Sequence, residues 1–345
     1  MIFICYNHIK EGVNLKIKSA IYGFVIGDAM GVPVEFEDRE KLMESPVTNM
    51  LGYGSYDVPK GVWSDDTSMT LATIDSIIVN KNELNYNDIA NKFCEWINNA
   101  KYTATNEVFD IGTTTKYSLM RYWNNNIYAT KCGGTGISEN GNGSLMRMLP
   151  IALYCFYNKM EDNDIINIVR NTSSITHAHE ISIIGCYMYV KYIIFILSKN
   201  NKTESYKLIQ KIDYSIFNKD NINLYERIIK DDISKYSLDT IKSTGFVVDT
   251  LESALWVILN TENFNEAIIG SVNLGGDTDT IAAITGSIAG ILYGYDSMNK
   301  KWIKDIKNKE LLNEYIWIYK YVKFIIINKV ICYNNYQLNI IYFTD

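Results

Sequence analysis

Stretch after stretch of this chain places its apolar residues at the 3.6-residue spacing of a helix, and no convincing run of alternating strands joins them. Leu15 to Ile26 reads as a helix ending at Gly27-Asp28. Thr67 to Val79 is a second, and Asn87 to Ala100 a third, with Ile89, Phe93, Trp96 and Ile97 on one stripe. Leu145 to Phe156, Asp164 to Ser174, Ala178 to Leu197, Val248 to Leu259 and Asn265 to Leu274 repeat the pattern. Thr280 to Tyr293 carries Ala282, Ala283, Gly286, Ala289 and Gly290, small residues that let neighbouring helices approach closely. Only Tyr336 to Phe343 fits a short strand. The expected fold class is all-α, and just 4 prolines in 345 residues agree with it.

There is no Pro- or Ser-rich linker and no repeat of fixed period, so one domain is expected. Lys199 to Ser243 is more polar and reads as surface helices or an insertion. Asn299 to Asp345 reads as C-terminal packing helices with a frayed end. A net charge of -6 argues against non-specific nucleic-acid binding and against docking on anionic membranes. The six cysteines, Cys5, Cys94, Cys132, Cys155, Cys186 and Cys332, lie far apart without zinc-site spacing, as buried thiols in a reducing compartment would. The apolar N-terminus meets Asn7, His8, Lys10 and Glu11 too early for a secretory signal. The longest apolar run, Cys186 to Leu197, contains Lys191 and falls short of the ~20 residues of a spanning helix. A soluble, cytoplasmic monomer is the expectation.

Two acidic clusters concentrate oxygen donors at helix starts. In Trp63-Ser64-Asp65-Asp66-Thr67, one side chain is enough to cap a helix, yet several consecutive polar residues stand there. In Asn273-Leu274-Gly275-Gly276-Asp277-Thr278-Asp279-Thr280, a Gly-Gly pair allows a sharp turn. Asp277 and Asp279 are two apart, so in an extended stretch their carboxylates point the same way. Each cluster reads either as a helix cap or as part of a site for a hard cation such as Mg²⁺, Mn²⁺ or Ca²⁺. Paired carboxylates repel unless a cation lies between them.

Two further motifs are Gly27-Asp28-Ala29-Met30-Gly31 with Glu35, and Gly141-Asn142-Gly143-Ser144-Leu145-Met146-Arg147. The first reads as packing glycines with a solvated glutamate. The second is an ordinary connection or a loop whose N–H groups hold an anion or sugar. His177 and His179 are spaced by two and do not share a helix face, so a metal pair there is not expected. No phosphate loop, dinucleotide fingerprint or nucleophile elbow is present.

Together and in this order, the motifs resemble those of the ADP-ribosylglycohydrolase family, over residues 16–298, with 299–345 as a packing extension of the same domain. The resemblance implies an all-α, single-domain orthogonal helical bundle around a binuclear centre of two Mg²⁺ or Mn²⁺. It implies Ser64, Asp65, Asp66, Asp277, Asp279 and Thr280 as metal ligands, with Glu35, Asp66 and Asp279 as the catalytic set. Many members have Thr where this chain has Ser64; either supplies a hydroxyl oxygen. Asn142, Gly143, Ser144, Met146 and His177 match the family's ADP-ribose contacts. Asp110, Gly112 and Thr113, within Phe109 to Thr114, match its segment near the distal ribose and pyrophosphate. The implied reaction removes ADP-ribose from a modified protein or small molecule by attack of a metal-activated water at the anomeric carbon. A non-catalytic, crystallin-like member is the alternative.

Overall fold

The structure, a computed structural model, describes residues 2–320, with side chains from residue 15 onward. The strand expected at Tyr336 to Phe343 and Cys332 lie outside the described residues, as does the side chain of Cys5. The chain begins with α1 (Ile2–Gly31), α2 (Arg39–Glu44), α3 (Asp65–Val79), α4 (Tyr86–Asn99) and α5 (Thr113–Asn125). Next come α6 (Leu149–Tyr157), α7 (Asp162–Ser173) and α8 (Glu180–Lys199). The polar stretch forms three short helices, α9 (Lys202–Ile209), α10 (Lys219–Asn223) and α11 (Glu226–Lys230). The last third holds α12 (Val247–Asn260), α13 (Phe264–Val272), α14 (Thr278–Tyr293) and α15 (Lys300–Asp305), and residues 309–320 are again helical. Among the described residues no strand forms, and only isolated bridges pair Gly134 with His177 and Gly141 with Phe246. The fold is all-α, as expected.

The centre is the pair α1 and α14, which come from opposite ends of the chain. Gly23, Gly27 and Gly31 are four apart and so share one face of α1. A Cβ on Gly27 would stand 1.9 Å from the Ala282 carbonyl oxygen, and one on Gly23 would stand 2.1 Å from that of Gly286. The two backbones touch, which only glycine permits at these positions. α1 therefore does not end at Gly27-Asp28, as its sequence suggested, but runs on to Gly31. These glycines are contact points rather than a stop signal. A second boundary also differs: Leu145 to Phe156 is not one helix. A 3₁₀ turn, Leu145–Arg147, precedes α6, and Pro150 sits in the first turn of α6, where no N–H is needed.

Leu15–Val34 and Glu180–Lys199 are each long and apolar enough to cross a membrane, but 94% and 78% of those windows are buried inside the protein. The run Cys186 to Leu197 covers only part of the second window. Helices that are apolar all round belong in the core of a large domain when other helices surround them. Cys94, Cys132, Cys155 and Cys186 are buried free thiols. After α15, buried Leu312 and Ile316 keep the chain packed on the core, and the Tyr22 hydroxyl donates to Asn313 Oδ1 at 2.7 Å.

Candidate active site

The last turn of α1 and the first turn of α3 are joined by one buried side chain. Asp28 Oδ1 accepts the Ser64 N–H at 2.9 Å. Its Oδ2 accepts the Thr67 N–H at 3.0 Å and the Thr67 hydroxyl at 2.5 Å. Ser64 Oγ accepts the Asp66 N–H at 3.3 Å. The N–H groups of Ser64, Asp66 and Thr67 at the start of α3 are thus met by Asp28 and Ser64, and the carboxylates of Asp65 and Asp66 make no cap bond.

Beyond Gly31 the 3₁₀ turn Val32–Val34 delivers Glu35 to the same region. Glu35 is 4% exposed and not the solvated charge that its isolated position suggested. Phe36, next to it, takes a left-handed conformation (φ 65) and is 69% exposed. Its N–H donates to the Gly276 carbonyl at 2.7 Å, and the Gly276 N–H donates to the Glu37 carbonyl at 2.9 Å. Gly275 and Gly276 both have φ 71, and a Cβ on Gly276 would stand 2.1 Å from the Ser243 carbonyl oxygen. This turn needs glycine twice.

It opens α14 with Asp277 at the cap position, yet Asp277 makes no cap bond. Its Oδ2 accepts from Asn142 Nδ2 at 3.1 Å instead. The helix starts at Thr278, so the extended arrangement expected for Asp277 and Asp279 does not occur, and Asp279 lies in the first turn. Asp279 Oδ1 accepts the Thr280 N–H at 2.7 Å, and Thr280 Oγ1 lies 3.5 Å from Asp66 Oδ1.

Carboxylate oxygens of Glu35, Asp110 and Asp279 all lie within 4.8 Å of one another. Asp110, which the family resemblance put near a distal ribose and pyrophosphate, stands inside this acidic group. Tyr56 faces both Glu35 and Asp110, and its ring packs 5.0 Å from that of Phe109. Burial pushes the Glu35 carboxyl up to about 9, and the charges of Asp110 and Asp277 add to the effect. Burial, and then the neighbouring acids, hold Asp65, Asp66 and Asp279 well above the usual carboxylate range.

Glu35 Oε2, Asp66 Oδ2 and Asp277 Oδ1 are buried with no hydrogen-bond partner. Such oxygens are costly in an apolar interior, and crowded carboxylates repel one another. A hard divalent cation relieves both penalties, and the all-oxygen donor set suits one. The residues present fit the group.

A cavity of about 270 Å³ opens against this cluster. Glu35, Asp65, Asp110 and Asp277 line its acidic side, with Thr280 beside them. Gly112 and Thr113 from the start of α5, Asn142, Gly143 and Met146 from the glycine loop, and His177 also line it. Ser64, Asp66, Ser144 and Asp279 are not part of this lining. Ser144 turns into the core, where its Oγ lies 2.9 Å from Ser173 Oγ and 3.3 Å from Cys186 Sγ. His177 is buried, and its Nδ1 lies 2.9 Å from Thr176 Oγ1. His179 caps α8 through Nδ1.

The sequence model of a known family, described as ADP-ribosylglycohydrolase, matches residues 11–325. The chain belongs to the ADP-ribosylglycohydrolase family. ADP-ribosylarginine hydrolase Tri1 of Serratia proteamaculans is 32% identical over 312 residues, which cover 88% of this chain and 79% of that relative. The ADP-ribosyl-dinitrogen reductase glycohydrolase of Rhodospirillum rubrum is 26% identical over 304 residues, with 86% and 92% covered. Among solved structures, an ADP-ribosylglycohydrolase-related protein complex superposes with a TM-score of 0.75 at 22% identity, covering 91% of this chain and 99% of that one. That likeness shows a shared fold. In this ADP-ribosylglycohydrolase, Tyr56 stands at the site without having been singled out by sequence, and Asp28 and Phe36, though part of or next to the first motif, had been given no role there. Asp28 did carry a signal, being an acid inside an otherwise apolar helix, where charged residues are rarely buried unless paired. Tyr56 carried none.

Proposed function

We propose that this family member hydrolyses the bond between ADP-ribose and arginine, with two Mg²⁺ or Mn²⁺ ions. The observation that carries the metal dependence is the set of buried, unpartnered carboxylate oxygens on Glu35, Asp66 and Asp277. Asp65, Asp66, Asp277 and Asp279, with the oxygens of Ser64 and Thr280, are the residues that would hold the ions. Bound there, such ions lower the pKa of water and orient substrate oxygens.

The remaining work falls to the chain. Cleavage at the anomeric carbon builds positive charge on the ribose ring. With cations offsetting the crowded charge, the acids would ionise: Asp66 and Asp279 would then provide fixed negative charge behind that position, and Glu35 would take the proton of the attacking water. Asn142, Gly143, Met146 and His177, with Gly112 and Thr113, form the wall that holds ADP-ribose. A groove of about 820 Å³ shares Phe36 and Asp277 with the cavity, and in its lining Glu37, Asp38, Glu40 and Asp239 outnumber the cations Arg39 and Lys242. Negative charge on the acceptor side suits a guanidinium leaving group and a basic flanking segment. Two relatives named ADP-ribosylarginine hydrolase, from Serratia proteamaculans and Pseudomonas putida, support the same linkage. The crystallin-like alternative is not favoured, because every motif carboxylate is retained.

The test is incubation of Mg²⁺-loaded protein with ADP-ribosylated arginine, serine and nucleotide substrates, reading free ADP-ribose. Release from arginine alone is expected. Release from serine alone would refute the linkage, and release from none would refute the hydrolase.

A further inference from the structure

Arg147 is fully buried, and among the described residues no carboxylate pairs with it. Its Nη1 and Nη2 donate to the Thr172 carbonyl oxygen at 3.2 Å each, and Nη2 donates to Thr176 Oγ1 at 2.7 Å. The Phe93 ring centroid lies 4.8 Å from the guanidinium carbon, and Nε has no partner. A cation taken out of water on these terms is costly. Although it belongs to the glycine-loop motif, nothing in the proposed reaction uses it.

Arg147 has donors only, so Thr176 Oγ1 is the acceptor in the 2.7 Å contact. The same oxygen lies 2.9 Å from His177 Nδ1, a contact that either atom can donate. Among the described residues no other acceptor takes the Thr176 hydroxyl proton. If Nδ1 carried the imidazole proton, that hydroxyl would be a buried donor with nowhere to point, a bias of roughly five- to hundredfold against the arrangement. The hydroxyl therefore donates to Nδ1, and the proton of the neutral ring sits on Nε2. Neutrality has its own cause: burial, with the Arg147 charge adding to it, brings His177 down to about 3. The Nε2 edge faces the glycine loop on the cavity wall. A Cβ on Gly143 would stand 2.8 Å from His177 Cε1 and 3.4 Å from Nε2.

We propose that Arg147 is a positioning residue: acting through Thr176, it fixes His177 as the Nε2–H tautomer, so that the cavity offers its ligand a hydrogen-bond donor there. The chemistry recognised is an acceptor atom, an oxygen or a ring nitrogen. Its identification as an atom of ADP-ribose rests on the function proposed above; the tautomer does not.

Selective ¹⁵N labelling of the histidines in the full chain, read through two-bond ¹H–¹⁵N correlations, tests this directly. His8→Gln and His179→Asn, the latter retaining a capping side chain, assign the His177 signals. Wild type should show a pyridine-like Nδ1 and a pyrrole-like Nε2. Arg147→Met and Thr176→Val should each bring the two shifts toward an average, while Thr176→Ser restores them. The Kd for ADP-ribose should rise about three- to tenfold in Thr176→Val and stay near wild type in Thr176→Ser, as expected for one hydrogen bond. A protonated Nδ1 in wild type overturns the proposal, even if Arg147→Met fails to fold. So does an unchanged tautomer in a folded Arg147→Met or in Thr176→Val. If ADP-ribose does not bind wild type at all, the cavity's ligand is wrong, and the tautomer spectra still decide the role of Arg147.

Discussion

Replacing Asp28 with Asn separates the scaffold of the site from its metal chemistry, because two large effects on stability should nearly cancel. Asp28 accepts three hydrogen bonds, one through Oδ1 and two through Oδ2. Asn in its better orientation keeps an oxygen toward Thr67 and turns its NH₂ toward the Ser64 N–H, donor against donor. One buried N–H left without a partner costs about 1–3 kcal/mol. Against this, burial raises Asp28 from 3.8 to about 6, so above pH 6 the ionised form is disfavoured by about 3 kcal/mol. Asn removes that burden, along with the repulsion that Asp28 exerts on Asp65 and Asp66. The sign follows from linkage. A carboxyl raised in the folded state costs stability as pH climbs through its folded value, so the comparison should favour Asn more at pH 8 than at pH 5.

At pH 7.5 the melting temperature in chelator should stay within a few degrees of wild type. Mg²⁺ affinity should not. With the Ser64 N–H released, the turn carrying Asp65 and Asp66 loses its anchor, and loss of such outer supports costs roughly 10–100-fold in metal affinity. Calorimetric titration of chelator-stripped protein with Mg²⁺, beside thermal melts of the same samples, reads both quantities. An unchanged Mg²⁺ affinity would refute the anchoring role. A collapse of metal-free stability would show instead that the charged hydrogen bonds dominate.

Other expectations follow from the same geometry. Wild type should gain about 2.7 kcal/mol at a Mg²⁺ concentration of 100 Kd, whereas Asp279→Asn should gain little; equal gains in thermal melts would return Asp279 to a helix-start residue. The metal-free melting temperature should fall as pH rises from 5 toward 9, because folded Glu35 keeps until about 9 a proton that the unfolded chain releases near 4.5. Glu35→Gln should flatten this slope and cut turnover by ~10²–10⁴-fold, and an equally steep slope in the variant would count against it. Gly143→Ala places a methyl 2.8 Å from His177 Cε1 and 3.1 Å from Thr115 Oγ1; it should cost about 1–3 kcal/mol by overpacking and abolish ADP-ribose binding, which equilibrium dialysis would show.

What could be read in the sequence is what short-range rules govern. Helix periods, the oxygen-rich starts of α3 and α14 and the glycine loop are local patterns. Whether those starts were caps or ligand sites was not a local question. It turns on Asp28, which caps the N-terminus of α3 from another helix, and on Asn142, which takes an oxygen of Asp277 that makes no cap bond. The end of α1 was misplaced for the same reason, since Gly27 and Gly31 owe their meaning to backbone at Ala282 and Asp279. Ser144 matched a ligand loop in sequence, yet its hydroxyl is held by Ser173 inside the core. Asp110 came close enough to Glu35 to join the acids only once its loop was placed in three dimensions.

The seam between α1 and α14 also sets the order in which the protein can be made. Gly27 and Ala282 lie about 250 residues apart in sequence. At ribosomal rates of roughly 5–20 residues per second, α1 waits on the order of tens of seconds for the partner that covers its glycine face. A nascent chain spends that interval with an apolar helix lacking its mate, and native pairing over such a separation closes slowly. Newly made chains of this protein should therefore depend on a chaperone until α14 emerges. A fragment released just before then would carry Glu35, Asp65, Asp66 and Asp110 without Asp277 and Asp279.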